Sequence, residues 1–262
     1  MTGISERLAP KKPFGQHFLH EKGVIADILE AVNETAEDVL IEVGPGEGAL
    51  TEGLAQKAKR NGIPLVCVEL DRDRIPLLRQ RYPQARIVEA NAVSIDFSSL
   101  MESKNGWILV SNLPYNVGNA ILMNALTCAH PPRRCVIMVQ KEVGERMLDK
   151  PPRASVLSMA VQLYTHPRRL RVVGRGAFVP PPNVDSIVLV LDVKPKNSRA
   201  EDVMACIRAG FVHPRKILRK NLLLAGYAEE AVDRWYKEQG IDPSIRAQSV
   251  TLLQWEELER MV

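Results

Sequence analysis

The chain is poor in cysteine, and the four it has are dispersed: Cys67, Cys128, Cys135 and Cys206 lie among apolar neighbours and form no CxxC pair. Such spacing indicates neither a disulfide framework nor a zinc site, and a reducing compartment is the simpler expectation. Long apolar runs are also missing. No stretch approaches the ~20 residues needed to span a bilayer, and the opening MTGISERLAPKKPFGQHFL has no apolar core of the kind a secretory leader carries. A cytoplasmic protein is expected, with no membrane partner and no metal. A large excess of charge of one sign is missing too, with 35 Lys and Arg against 31 Asp and Glu. The net charge of +4 suits an anionic partner without identifying one. No internal repeat or low-complexity segment occurs, which excludes a solenoid.

What is present fits a globular protein of one large domain or two unequal ones: 262 residues, 45% hydrophobic and 25% charged. Short β-branched-rich runs at 38–43 (DVLIEV), 64–70, 86–90, 107–111 and 135–140 alternate with helical patterns at 50–60, 74–82 and 120–129. That alternation predicts an α/β fold, a parallel sheet covered by helices. Runs at 170–173 and 186–193, joined by the proline-rich FVPPPNV, read as a strand pair at the sheet's end. Beyond the polar KPKNSR (194–199) the periodicity is only helical, at 200–212, 214–225, 228–239 and 252–261. The expected division is an α/β domain over 1–194 and a small all-helical domain over 195–262.

The first strand leads into Glu42-Val43-Gly44-Pro45-Gly46-Glu47-Gly48. Gly44 and Gly46 allow a sharp turn and close approach of a ligand to the backbone. The GxGxG spacing, flanked by Glu42 and Glu47, disfavours a pyrophosphate, which needs donors, and favours an adenosine ligand carrying positive charge. Glu69 closes the second strand about twenty residues on, where a carboxylate takes ribose hydroxyls in nucleotide folds. S-adenosylmethionine supplies both a ribose and a sulfonium. Asn91, after the third strand, is a candidate for the adenine edge, since its side-chain oxygen accepts hydrogen bonds.

At the end of the fourth strand stands Ser111-Asn112-Leu113-Pro114-Tyr115. Pro114 holds Leu113 out of the helical region, so that its carbonyl can point outward. The Asn112 oxygen is a second acceptor, and Tyr115 offers a stacking face. Two fixed acceptors match the two hydrogens of an exocyclic amine. Accepting both localises the nitrogen lone pair as that nitrogen turns tetrahedral, stabilisation specific to the transition state.

These residues, together with Phe14-Gly15-Gln16-His17-Phe18-Leu19, Val139-Gln140-Lys141-Glu142-Val143, Phe178-x-Pro-x-Pro-x-Val-Asp-Ser186 and Pro214-Arg215-Lys216-x-Leu218-Arg219-x-Asn221-Leu222, resemble the KsgA family of ribosomal RNA adenine N6,N6-dimethyltransferases. The resemblance runs along almost the whole chain. It implies a Rossmann-like methyltransferase sheet, S-adenosylmethionine as cofactor, and dimethylation of two adjacent adenosines near the 3′ end of small-subunit RNA. It implies further that the partner is the pre-30S particle, bound by a monomer. Cofactor contacts are implied at His17, Leu19, Gly44, Gly46, Glu69, Asn91 and Asn112, and Phe178 is implied to sandwich the flipped adenine with Tyr115. The chain departs from the pattern at His17, where the family usually has Asn, at Asn91, where it usually has Asp, and at Pro151 to Ser155, which replace a Gly- and Tyr-containing loop.

Arg208, Arg215, Lys216, Arg219 and Lys220 crowd the helical segment with little acid between them, and Arg133, Arg134, Arg168, Arg169 and Arg171 flank the late strands. A basic face of this kind binds phosphates while reading little sequence. Competing readings are an Erm-like large-subunit adenine methylase, a non-catalytic ribosome-assembly factor on the same fold, and a dinucleotide oxidoreductase, which the glycine spacing disfavours.

Overall fold

The computed structural model describes residues 17–101 and 105–262; Phe14, Gly15 and Gln16, which open the first quoted motif, lie outside them. The chain begins with β1 (Phe18–Leu19), α1 (Lys22–Val32), β2 (Asp38–Val43), α2 (Thr51–Asn61), β3 (Leu65–Glu69), α3 (Ile75–Arg81) and β4 (Arg86–Glu89). It continues through β5 (Gly106–Asn112), α4 (Gly118–Thr127), β6 (Arg134–Gln140), α5 (Lys141–Leu148), α6 (Val156–Tyr164), β7 (Thr165–Val173), β8 (Phe178–Val179) and β9 (Ser186–Val193). Four helices follow: α7 (Ala200–Gly210), α8 (Leu218–Leu224), α9 (Glu229–Glu238) and α10 (Leu252–Met261).

The expected sheet is there. Its order is β4-β3-β2-β5-β6-β9-β7, with β4 through β6 parallel. β9 runs antiparallel to β6, Ser186 opposite Gln140, and with β7 forms the strand pair at the sheet's end. All six residues of β2 are buried, as in a strand covered on both faces. From β2 the chain winds outward to β3 and β4, then returns to β5 on the other side. The strand order therefore reverses between β2 and β5, and a crevice opens at the carboxyl ends of strands flanking such a point. The Ser111 hydroxyl, donating to the Val43 carbonyl at 2.7 Å, ties the two ends together. A separate two-stranded ribbon pairs β1 with β8, Leu19 opposite Phe178.

The chain divides into two compact units, one holding the chain up to Gly144 with Arg168–Val193, the other Glu145–Pro167 with Lys194–Val262. In the second unit α6 packs with the C-terminal helices α7 and α10. Its core is built on the fully buried Trp235 and Trp255, stacked at 6.4 Å. Helix α8 starts at Leu218, later than the periodicity at 214 implied. Ile217 is extended (ψ 145°), because the buried Asn221 side chain donates to the carbonyls of Gly210 (2.6 Å) and His213 (3.1 Å). Those bonds hold residues 211–217 as a turn that closes the end of α7.

Candidate active site

At the crevice lies a cavity of about 320 Å³, lined by the glycine loop, Glu69, Asn91, residues 112–117 and His17 to Leu19. Gly44 and Gly46 both have positive φ, 67° and 58°, a region side chains rarely enter. A Cβ on Gly46 would also press on the Phe18 ring at 3.2 Å.

Glu69 is 7% exposed. Its Oε1 accepts the N–H groups of Leu70 and Asp71, each at 2.9 Å. Oε2 receives only a long bond of 3.4 Å from Gly46 N–H, which leaves acceptor capacity facing the cavity. Burial pushes the Glu69 carboxyl above the usual carboxylate range, against the lowering effect of these backbone donors. Glu42, 2% exposed, accepts from the Thr51 hydroxyl at 2.6 Å. Burial raises it to about 7. Two buried carboxylates beside one cavity would be relieved by a cationic ligand, which favours their charged forms.

Across the crevice, Asn112 Nδ2 donates to the His17 carbonyl at 3.1 Å. That bond fixes the amide's orientation and turns Oδ1 the other way, where it is buried without a partner. A buried polar atom left unpaired is an expensive arrangement, and a donor on a ligand would satisfy it. The Leu113 N–H is held by the Met138 carbonyl at 3.0 Å, extending the β5–β6 ladder one residue beyond β5. The Tyr115 hydroxyl shares a 2.8 Å hydrogen bond with Ser186 Oγ, which is fully buried at the start of β9. Burial raises the Tyr115 phenol, and the Ser186 bond partly offsets the rise. The Tyr115 ring is stacked against the His17 imidazole, centroids 5.6 Å apart and planes at 28°.

His17, Leu19, Gly44, Gly46, Glu69, Asn91, Asn112, Leu113 and Tyr115 thus share one cavity. Asn91 is exposed, and its oxygen already accepts the Val93 N–H at 3.0 Å in a local turn. Phe178 is placed elsewhere. It is 2% exposed, belongs to the apolar core with Leu19 and Val173, and does not line the cavity. Sequence reasoning missed the roles of Ser186, Thr51 and the His17 backbone. A serine opening an eight-residue apolar strand was the available signal for the first; a backbone carbonyl leaves none.

The basic residues divide sharply. Arg133 pairs with the buried Asp38 at 2.6 Å, Arg134 with Asp192, and Arg171 with Glu21 and Asp27. Arg219 is held by Glu229 and Asp233 of α9, and Arg208 faces Glu201 at 3.5 Å. Arg168, Arg169, Arg215, Lys216 and Lys220 are exposed and form no ion pair among the described residues. The sequence showed no acid between the clustered bases, but folding brings acids from α9 and the first turn of α7 to two of them.

Residues 8–262 match the model of the family described as ribosomal RNA adenine dimethylase. The chain is 38% identical over 251 residues to ribosomal RNA small subunit methyltransferase A of Pseudomonas savastanoi pv. phaseolicola, covering 92% of this chain and 90% of that protein. Two solved structures share the fold. One is the 23S rRNA methyltransferase ErmE (TM-score 0.73, 22% identity, 93% of this chain and 98% of that one). The other is a dimethyladenosine transferase from Plasmodium falciparum (TM-score 0.73, 21% identity, 92% and 96%). Matched along nearly its whole length, with the glycine loop, Glu69 and the Asn112 amide at the end of β5 lining one cavity, the chain belongs to the ribosomal RNA adenine dimethylase family.

Proposed function

We propose that the protein transfers methyl groups from S-adenosylmethionine to N6 of two adjacent adenosines near the 3′ end of small-subunit ribosomal RNA, acting as a cytoplasmic monomer on a precursor of the small subunit. The observation that carries the reading is the buried, unpartnered Asn112 Oδ1 beside Leu113 at the carboxyl end of β5. The cofactor, when bound, supplies an electrophilic methyl on a sulfonium. Glu69 takes ribose hydroxyls through its underused Oε2. Gly44 and Gly46 let the backbone close on the ligand, with Leu19 as apolar floor and Asn91 at the adenine edge.

Asn112 Oδ1 and the Leu113 carbonyl accept the two hydrogens of the target amine, while Tyr115 stacks on its ring. Because both acceptors are held before the substrate arrives, little reorganisation remains for the reacting geometry. A base inside a duplex does not reach such a pocket, so the target adenosine is flipped out or already unpaired. In the second unit, Arg215, Lys216 and Lys220 bind RNA phosphates, and unpaired charge suits that task. The small-subunit name of the 38%-identical relative favours this substrate over the large-subunit RNA of an Erm-like enzyme.

Mapping dimethyladenosine by primer extension and mass spectrometry, on small-subunit RNA from cells with and without the gene, tests the reading. The modification is expected only where the gene is present; identical maps would overturn it.

A further inference from the structure

In the run Asp71-Arg72-Asp73-Arg74 the two arginines have opposite fates. Arg72 lies on the surface beside Glu89, its side chain 83% exposed. Arg74, the residue before α3, is 3% exposed and is the one buried Lys or Arg among the described residues. Taking a guanidinium out of water is costly unless opposite charge and close contact replace its hydration. Both replacements belong to the rim of the cavity. We propose that Arg74 is a positioning residue for the cofactor: it does not line the cavity, but it braces Phe18 and Asp71, and through them sets the spacing between β1 and the Glu69 turn where the ligand binds.

The first contact is with Phe18. Arg74 Cζ stands 4.7 Å from the centre of the Phe18 ring, within range of a cation–π attraction that strengthens as the cation is desolvated. Phe18 lines the cavity and lies against Gly46, where an added Cβ would meet the ring at 3.2 Å. Its strand, β1, pairs with β8 outside the seven-stranded sheet, so the ladder of the main sheet does not locate it. The guanidinium under Phe18 and the Asn112 bond to the His17 carbonyl do. The second contact is with Asp71. Its carboxylate, also 3% exposed, has Oδ2 at 3.5 Å from Arg74 Nε, while Oδ1 accepts the Asp73 N–H at 3.2 Å. The Asp71 N–H in turn donates to Glu69 Oε1 at 2.9 Å. Arg74 thus fixes the residue whose backbone orients Glu69, and its charge favours the Glu69 anion against the burial that raises that carboxyl. A lysine would keep the charge but not the contact, since an ammonium lacks the planar face with which a guanidinium lies on a ring.

The inference rests on reading the cavity as the cofactor site. The full chain is prepared as wild type, Arg74→Lys, Phe18→Leu and the double variant. S-adenosylmethionine affinity is measured by calorimetry, RNA affinity by filter binding, and turnover as a function of cofactor concentration. Arg74→Lys retains a cation beside Asp71, so no lone carboxylate is left in the core. It should weaken cofactor binding about fivefold, and the loss in turnover should fall mainly on KM for the cofactor rather than on kcat. Phe18→Leu should weaken binding at least as much. Because one side chain acts through the other, adding Arg74→Lys to Phe18→Leu should cost less than about a further twofold. Equal losses from Arg74→Lys in both backgrounds, unaltered cofactor affinity in Phe18→Leu, or a fall in RNA affinity that keeps pace with the fall in cofactor affinity would overturn the positioning role and leave the methyltransferase reading standing. A wild type with no affinity for S-adenosylmethionine would remove that reading as well.

Discussion

The crevice at the end of β5 and the basic turn of residues 211–217 treat polar side chains in opposite ways. In the crevice the working polar groups are buried or half-buried and tethered: Asn112 to the His17 carbonyl, Tyr115 to Ser186, Glu69 to three N–H groups, Glu42 to Thr51. On the turn the charges are exposed, and only the scaffold beneath them, Asn221, is buried and bonded. Stabilising a transition state requires dipoles already in place. Attracting a phosphate backbone requires charge that no carboxylate has neutralised, and positional precision adds little. The paired Arg219 and its unpaired neighbour Lys220 show that the distinction runs residue by residue along one helix.

If the crevice works through pre-placed acceptors, Asn112→Ala should lower the single-turnover rate about 10²–10³-fold, while the thermal midpoint changes little. A rate within tenfold of wild type would end the amine-acceptor role. The tethering also has a pH signature. Burial raises the Glu42 carboxyl from 4.5 to about 7, so the folded form holds its proton where the unfolded chain has lost it. Stability from this group is therefore complete below pH 4.5 and lost as pH rises through 7. The loss is roughly 3 kcal/mol at 1.36 kcal/mol per pH unit. Denaturant titrations at pH 5 and pH 8 should show the cofactor-free wild type falling by about that amount relative to Glu42→Gln; parallel behaviour of the two would contradict the buried, neutral carboxyl.

On the other side of the comparison, Arg215→Glu with Lys216→Glu should weaken RNA binding about tenfold or more at 0.15 M salt and flatten its salt dependence, leaving cofactor affinity intact. Arg219→Gln should change RNA binding less than about twofold, since its charge is already paired. Equal effects of the two in filter binding would erase the distinction between free and spent charge. The smallest effect is expected from Ser186→Ala. Releasing the Tyr115 hydroxyl forfeits one hydrogen bond, about 1 kcal/mol, and should raise KM for RNA a few-fold; an unaltered KM would mean that the ring is held by packing alone.

Much of the fold was legible in the sequence because its signals are local. The strands at 38–43 and 186–193 and the helix at 252–261 were readable to the residue from apolar runs and their period. Helix α6 was not anticipated. The capping box of Ser155 and Ser158 starts it, yet it packs with helices some forty or more residues later in the chain, and that partnership leaves no local mark. The site residues of the glycine loop and of Asn112 to Tyr115 were readable because Gly, Pro and Asn are chosen there for backbone geometry that few other residues permit.

By itself, then, the sequence determined which segments become strands and helices, which loops approach a ligand, and which chemistry the residues at their ends allow. The tertiary structure decided what depends on which groups packing brings together: that the His17 carbonyl receives the Asn112 amide, that Phe178 enters the core while His17 faces Tyr115, and that five of ten candidate arginines and lysines are paired with acids, three of them with acids more than fifty residues away. Propensity and periodicity act over a few residues, whereas hydrogen bonds and ion pairs are set wherever packing brings two groups within about 3 Å, and nothing in a neighbouring residue records where that will be.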